Sequence, residues 1–167
     1  MPEKGKVEVL AGILHSGQYK GDAGYDIEIT GHAACANPTL LEPGQTARLK
    51  TGLRLRMGSD IYATVEPRSS VSDGTCYGGS VTVHTGIIDT EYDGDVGVIV
   101  TNNSNRPLQV GRPEERVAQI IFHRKAAVDV VTTSDCRDSG LIVKTKLTAR
   151  GKNGFGSTNR AKKQPRV

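Results

Sequence analysis

The chain has 167 residues, three cysteines and a net charge of +4, which fits one domain long enough to bury a core without staples. Cys35, Cys76 and Cys136 are too few and too scattered for a disulfide scaffold, and no apolar run approaches the ~18 residues of a membrane span. Residues 150–167 hold six basic side chains and no acid, so the other 149 residues sum to −2 and the body of the chain lacks the charge of a nucleic-acid binder.

Glycine supplies 20 residues, and Val, Ile and Thr together supply 41. That mixture predicts short strands joined by tight turns. Alternating apolar stretches follow in chain order. They are Val7 to Leu10, Asp26 to Ile29, a longer run through Leu49, Leu53, Leu55 and Met57, Ile61 to Val65, and Val81 to Val83. Val96, Val98 and Val100 come next, then Val117 to Phe122, Val128 to Val131 and Leu141 to Val143. Turn clusters such as Glu42-Pro43-Gly44-Gln45, Gly58-Ser59-Asp60 and Asn102 to Pro107 separate them. The pattern predicts an all-β sandwich or barrel, with one short helix over Ser69 to Asp73. A composition break near residue 149 divides a core, 1–149, from a Gly-rich basic tail, 150–167. Met1 to Lys6 hold no apolar signal core, so an intracellular protein, cytoplasmic or nuclear, is expected. Arg160 to Arg166 read as a solvated tail or as a nuclear signal.

Three segments carry candidate chemistry. In His84 to Gly94 a strand runs into a tight hairpin with a carboxylate-rich tip, and Asp89 stands where strand meets turn. A partly desolvated carboxylate there suits a general base; a solvated acidic turn is the plain alternative. In Glu66 to Ser72 a proline ends a strand, and Ser69 or Ser70 is placed to cap a short helix. A helix start beside Arg68 suits an anion, or is an ordinary cap with a surface arginine. In Arg150 to Asn159 three glycines surround Phe155, which permits close backbone approach to a ligand and offers a stacking face, or marks an unstructured tail. His15, His32, His84 and His123 lack metal-ligand spacing.

Taken in order, these segments resemble the five motifs of the trimeric dUTP pyrophosphatase (dUTPase) family. Ala23-Gly24-Tyr25-Asp26-Ile27 resembles the first, and Pro67-Arg68-Ser69-Ser70 the second, with Ser70 where the family usually has Gly. Gly86-Ile87-Ile88-Asp89 with Tyr92, Gly94, Gly97 and Asn102 resembles the third. Arg116-Val117-Ala118-Gln119-Ile120-Ile121 resembles the fourth, with Glu114-Glu115 in place of Gly-Asp. Arg150-Gly151-Lys152-Asn153-Gly154-Phe155-Gly156-Ser157-Thr158 resembles the fifth, with Asn153 for a usual Gly. The resemblance covers about residues 6 to 159.

It implies a jelly-roll-like β fold, a homotrimer with active sites between subunits and a C-terminal lid. It also implies hydrolysis of dUTP to dUMP and pyrophosphate with Mg²⁺ on the triphosphate. By resemblance Asp89 is the base that deprotonates water, and Gln119 contacts the α-phosphate or that water. Arg68, Ser69 and Ser70 hold phosphate oxygens. Asp26 holds a water of the Mg²⁺ shell, as Mg²⁺ keeps several waters in such sites. Arg150 reaches the γ-phosphate, Phe155 covers the uracil, and Gly156, Ser157 and Thr158 complete the lid. Val83, Gly86, Ile87, Ile88 and Gly97 line the uracil edge, and Tyr92 packs on the deoxyribose. Buried polar mismatch against cytosine would then discriminate strongly.

Other functional classes fit less well. A dCTP deaminase would carry a glutamate three residues before Asn102, where Ile99 stands, and would lack the fifth motif. A nucleic-acid-binding barrel needs more surface aromatics than the seven present. A regulatory or binding protein on a dUTPase scaffold is the alternative that the departures at Ser70, Glu114 and Glu115 keep open. No membrane or nucleic-acid partner is expected.

Overall fold

The structure, a computed structural model, describes residues 2–17, 19–32, 39–112 and 114–128. Its strands are β1 (Val7–Ala11), β2 (Leu14–His15), β3 (Gly24–Ile27), β4 (Gly31–His32), β5 (Thr39–Leu41), β6 (Thr46–Lys50) and β7 (Arg54–Met57). They continue as β8 (Ile61–Pro67), β9 (Val81–His84), β10 (Gly86–Ile88), β11 (Gly97–Asn102), β12 (Leu108–Val110) and β13 (Ala118–Arg124). One short helix, α1 (Ser69–Ser72), and a 3-10 turn, Tyr77–Gly79, lie between β8 and β9. No helix among the described residues is long and apolar enough to cross a membrane.

Two sheets make the body. One has the order β10-β8-β13-β3-β2 and the other β4-β6-β11-β9, while β1-β7 and β12-β5 form separate pairs. Strands β6, β8, β9 and β11 alternate buried with less buried residues, as half-covered antiparallel sheets do. Ile27, Ala63, Val65, Ala118 and Ile120 of the first sheet share one buried cluster with Leu49, Val83, Val98 and Val100 of the second. This is the layered packing of a jelly-roll-like sandwich. Full burial of each Ile or Leu in it contributes about 1.5–3 kcal/mol.

Three expectations are corrected. The alternating run from Leu49 to Met57 is two strands, β6 and β7, broken at Gly52, whose φ is 63°. Buried Thr51 fixes the break, its Oγ1 donating to the Val96 carbonyl at 2.6 Å and accepting from the Leu53 N–H at 3.0 Å. Leu49 and Leu53 stay in phase across it, so periodicity hides it. The segment from His84 to Gly94 is not a regular hairpin. Strand β9 pairs with β11, but after Thr85 the chain changes sheets and β10 pairs with β8. Helix α1 forms where expected, but Arg68 occupies its N-cap without a side-chain cap bond, so neither Ser69 nor Ser70 caps it.

Strands β2, β4, β5 and β12 have two or three residues each, too few to show a period. The expected strands at 128–131 and 141–143 lie, apart from Val128, outside the described residues.

Candidate active site

Strand β13 sets out the site. Gln119 stands opposite Asp26 of β3 on one side and Glu66 of β8 on the other. Directly paired residues share a sheet face. Because Ala118 and Ile120 face the core, this row faces outward. Arg68, just past the end of β8, closes onto it. Its Nε donates to Asp26 Oδ1 at 2.8 Å, and Arg116 Nη1 lies 3.7 Å from Asp26 Oδ2. The Arg68 Nη1 donates to the Arg116 carbonyl at 3.0 Å, and its backbone N–H to the Val117 carbonyl at 3.1 Å. Gln119 Nε2 donates to the Pro67 carbonyl at 3.1 Å. Gly24 has no room for a side chain, because a Cβ would overlap the Gln119 amide.

These residues wall a cavity of about 630 Å³ that includes Asp26, Arg68, Ser69, Arg116 and Gln119. Arg68 and Arg116 share the wall with the carboxylates of Asp26 and Asp22, and both guanidiniums gather around Asp26. A planar guanidinium fork suits phosphate oxygens. The N–H groups of Ser69 and Ser70 precede the first helical bond, from Val71 N–H to the Arg68 carbonyl at 3.0 Å, and so have no intrahelical acceptor. Ser70 itself is off the cavity wall, and its carbonyl accepts from the Cys76 N–H at 2.6 Å.

The second group of residues gathers elsewhere. Ile88 pairs with Ala63, so Asp89 follows at the level of Tyr62, near the start of β8. Arg68 lies past its far end, about 20 Å away at the usual strand rise. None of Val83, Gly86, Ile87, Ile88, Asp89, Tyr92 and Gly97 lines the cavity. The turn after Asp89 is pinned by Thr90 Oγ1, which donates to the Ile61 carbonyl at 2.6 Å, and by the Tyr92 N–H, which donates to the Asp89 carbonyl at 3.0 Å. The Tyr92 hydroxyl donates to the Asp95 carbonyl at 2.9 Å, and the residue is 8% exposed. Only its small exposed edge is available to a sugar.

Strands β9 and β11 stay paired to His84 and Ile99. Beyond them β10 departs for β8, so Gly86 and Gly97 stand on opposite lips of a splay. Strand β10 is the edge of its sheet, so its outer backbone groups face away from β8. Val83 and Ile88 are buried and Ile87 is exposed, so the first two have only backbone groups to offer a base. A Cβ on Gly97 would meet Arg48 Nε at 2.6 Å, and one on Gly94 would meet the Tyr92 hydroxyl at 2.6 Å.

Arg116 also lines the cavity, as do Ser16, Gly17, Tyr19, Asp22 and Ala23 of the loop before β3; the sequence alone does not mark them as site residues. Arg116 belongs to the stretch that resembles the fourth motif, where its charge beside a strand start is the available signal. The loop has no periodicity to betray it. Arg150, Phe155, Gly156, Ser157 and Thr158 lie outside the described residues. Among the described residues no group of three or more His, Cys, Asp or Glu is placed to hold a metal.

A sequence model of the dUTPase family matches residues 12–159. A deoxyuridine 5'-triphosphate nucleotidohydrolase of Yaba monkey tumor virus is 33% identical over 141 residues, 83% of each chain. One from Picosynechococcus is 32% identical over 148 residues, 87% of this chain and 90% of its own. In fold the chain is similar to a dUTPase of Staphylococcus bacteriophage 80alpha solved with dUpNHpp. The TM-score is 0.63 at 20% identity, over 93% of this chain and 99% of that one. A mutant dUTPase from phage phi11 of S. aureus, solved with a structural Mg(II) ion, gives 0.60 at 22%, over 77% and 95%.

Proposed function

The chain belongs to the dUTPase family, and from that membership we infer that it is a dUTP diphosphatase whose active sites are assembled between the subunits of a homotrimer. It hydrolyses dUTP to dUMP and pyrophosphate, which limits uracil incorporation into DNA and supplies dUMP for dTMP synthesis. The observation that carries the composite site is the distance between its two halves. The cavity with Arg68 and Gln119 lies at one end of β8, and Asp89 with the Gly86–Gly97 splay lies at the other. Among the described residues of one copy, Asp89 does not meet the Arg68 cavity, whereas a head-to-tail ring of three copies would bring the two together three times.

In that arrangement the cavity of one subunit takes the triphosphate, held by Arg68, Ser69 and Ser70 and neutralised by guanidinium charge. The splayed strands of a second subunit pair their backbone groups with the uracil edge, and Tyr92 of that subunit supports the deoxyribose. Asp89 accepts a proton from water. The water oxygen bonds to the α-phosphorus, the bond from that phosphorus to the bridging oxygen breaks, and pyrophosphate leaves. Gln119 orients the water or the α-phosphate. The 150–167 segment of a third subunit closes as a lid, with Arg150 on the γ-phosphate and Phe155 over the uracil, backed by Gly156, Ser157 and Thr158.

Mg²⁺ fits this donor set. Asp26 is a single carboxylate already engaged by Arg68 and Arg116, which suits holding a metal-bound water better than direct ligation. Mg²⁺ is usually bound through one or two carboxylates together with substrate phosphates. When bound there, the ion supplies charge neutralisation on the triphosphate.

The test is pyrophosphate release from dUTP against dCTP, dTTP and UTP, with Asp89→Asn as control. Release from dUTP alone, lost in the variant, is the expected result; no release from dUTP refutes the assignment.

A further inference from the structure

Two turns beside the cavity hold bulky residues in left-handed backbone. Tyr77 has φ 59° and Glu114 has φ 65°, the two non-glycine residues in that region among those described. Such strain persists where surrounding contacts over-determine it, and it gathers at functional sites. Here the two turns meet. The Tyr77 hydroxyl donates a hydrogen bond to Glu115 Oε1. The other carboxylate oxygen, Oε2, accepts from the Gly111 N–H at 2.8 Å and the Arg112 N–H at 3.0 Å. The Glu115 carbonyl accepts from the Ile29 N–H at 2.9 Å. The Tyr77 ring packs against the core.

Each end of this link leads to the cavity. Arg116, next after Glu115, pairs with Asp26 and accepts the Arg68 guanidinium on its carbonyl. Val117 accepts the Arg68 backbone N–H. On the other side Cys76, next before Tyr77, ties its N–H to Ser70 on α1, which begins at cavity residue Ser69. We propose that Tyr77 and Glu115 are positioning residues for dUTP hydrolysis: their hydrogen bond sets the spacing between the Ser69-Ser70 turn and the Arg116 turn, and through it the aim of Arg68 at the phosphates. Neither residue lines the cavity. Burial and the Glu115 carboxylate both raise the Tyr77 phenol above its ordinary value, so it stays a donor through the neutral range.

The inference rests on the reading of the cavity as the phosphate site. It also gives a physical meaning to Glu115, which stands where the resembled motif has Asp. A side chain one methylene shorter would meet the Gly111, Arg112 and Tyr77 donors at a different spacing.

Tyr77→Phe keeps the ring and removes only the hydroxyl. The measurements are steady-state pyrophosphate release from dUTP, affinity for a non-hydrolysable dUTP analogue and for dUMP, and thermal stability. Parent and variants are taken as full chains. Tyr77→Phe is expected to lower kcat/KM and analogue affinity about tenfold, a loss in keeping with misplaced binding groups. The dUMP affinity and Tm should stay at parent values. Glu115→Asp should reproduce the loss, and the double variant should be no worse than either single, since the two act through one bond. An active parent with an unchanged Tyr77→Phe, or losses that add in the double variant, would overturn the proposal. So would an equal loss of dUMP affinity with a fallen Tm. A parent inactive on dUTP would instead refute the functional reading beneath it.

Discussion

A Cβ on Gly24 would overlap the Gln119 amide, which would have to shift to admit it. A methyl there must push the amide away from the Pro67 carbonyl it now donates to. Gly24→Ala should therefore lower kcat/KM about tenfold or more while the fold persists, since small displacements at a reacting centre are costly; circular dichroism beside the kinetics checks both. Glu114 poses the opposite case. Its left-handed φ of 65° costs a side-chain-bearing residue about 1–2 kcal/mol, partly offset against the unfolded-state entropy a glycine adds. Glu114→Gly should stabilise by about 0.5–1 kcal/mol, read as a Tm rise of about 2 °C. At this scale the sequence is legible where residue type alone states the chemistry, as with Asp26, Arg68 and Gln119. It is silent where a role arises from tertiary bonds. Glu115 looks like any surface carboxylate until its oxygens are seen on Gly111, Arg112 and Tyr77. Asn102 ends a motif in sequence. In the fold it is fully buried and clamps a turn, donating to the Leu41 and Arg106 carbonyls.

Strands β9 and β10 differ by one linking residue, Thr85, yet belong to different sheets. Thr85 Oγ1 donates to Glu66 Oε2 at 2.7 Å, fixing the crossing beside the end of β8. Alternation in sequence reports which residues are buried, not which sheet buries them, so the crossing is indistinguishable from a plain hairpin in sequence. The same blindness merged β6 with β7. Element ends carry their own electrostatics. Asp60, between β7 and β8, accepts the Gly5 N–H at 2.8 Å and lies 3.6 Å from Arg124 at the end of β13. The Gly5 hydrogen bond, helped by the backbone N–H of Asp60 itself and then by the Arg124 charge, outweighs partial desolvation and holds the Asp60 carboxyl below its ordinary value. A depressed folded value stabilises above the unfolded value and is lost as pH falls through the folded one. Asp60→Asn should lower Tm at pH 7, and the gap to the parent should close on acidification below about pH 4; melting curves across pH 2–8 read this directly. The composition break at residue 149 carries a further expectation. On the function proposed above, ending the chain after Ala149 should leave the core folded and slow turnover severely, because it removes Arg150 and Phe155; unchanged turnover would take them out of the proposed site.

The whole molecule presents two half-sites at the two ends of one strand. The outward row of Asp26, Gln119 and Glu66 and the cavity beside it stand at one end of β8, and Asp89 stands at the other. The residues of each half stand out in the sequence by type, but their separation does not. It depends on β10 running antiparallel to β8, a pairing between residues some twenty positions apart. The central claim is that water activation and phosphate binding come from different subunits. It is tested by subunit complementation: Arg68→Ala and Asp89→Asn chains, each inactive alone, are unfolded, mixed in equal amounts and refolded together. If each site draws Arg68 from one subunit and Asp89 from another, random assembly into rings restores about a quarter of parent activity on dUTP. If both groups act within one chain, the mixture stays as inactive as its parts, and that result would contradict the account.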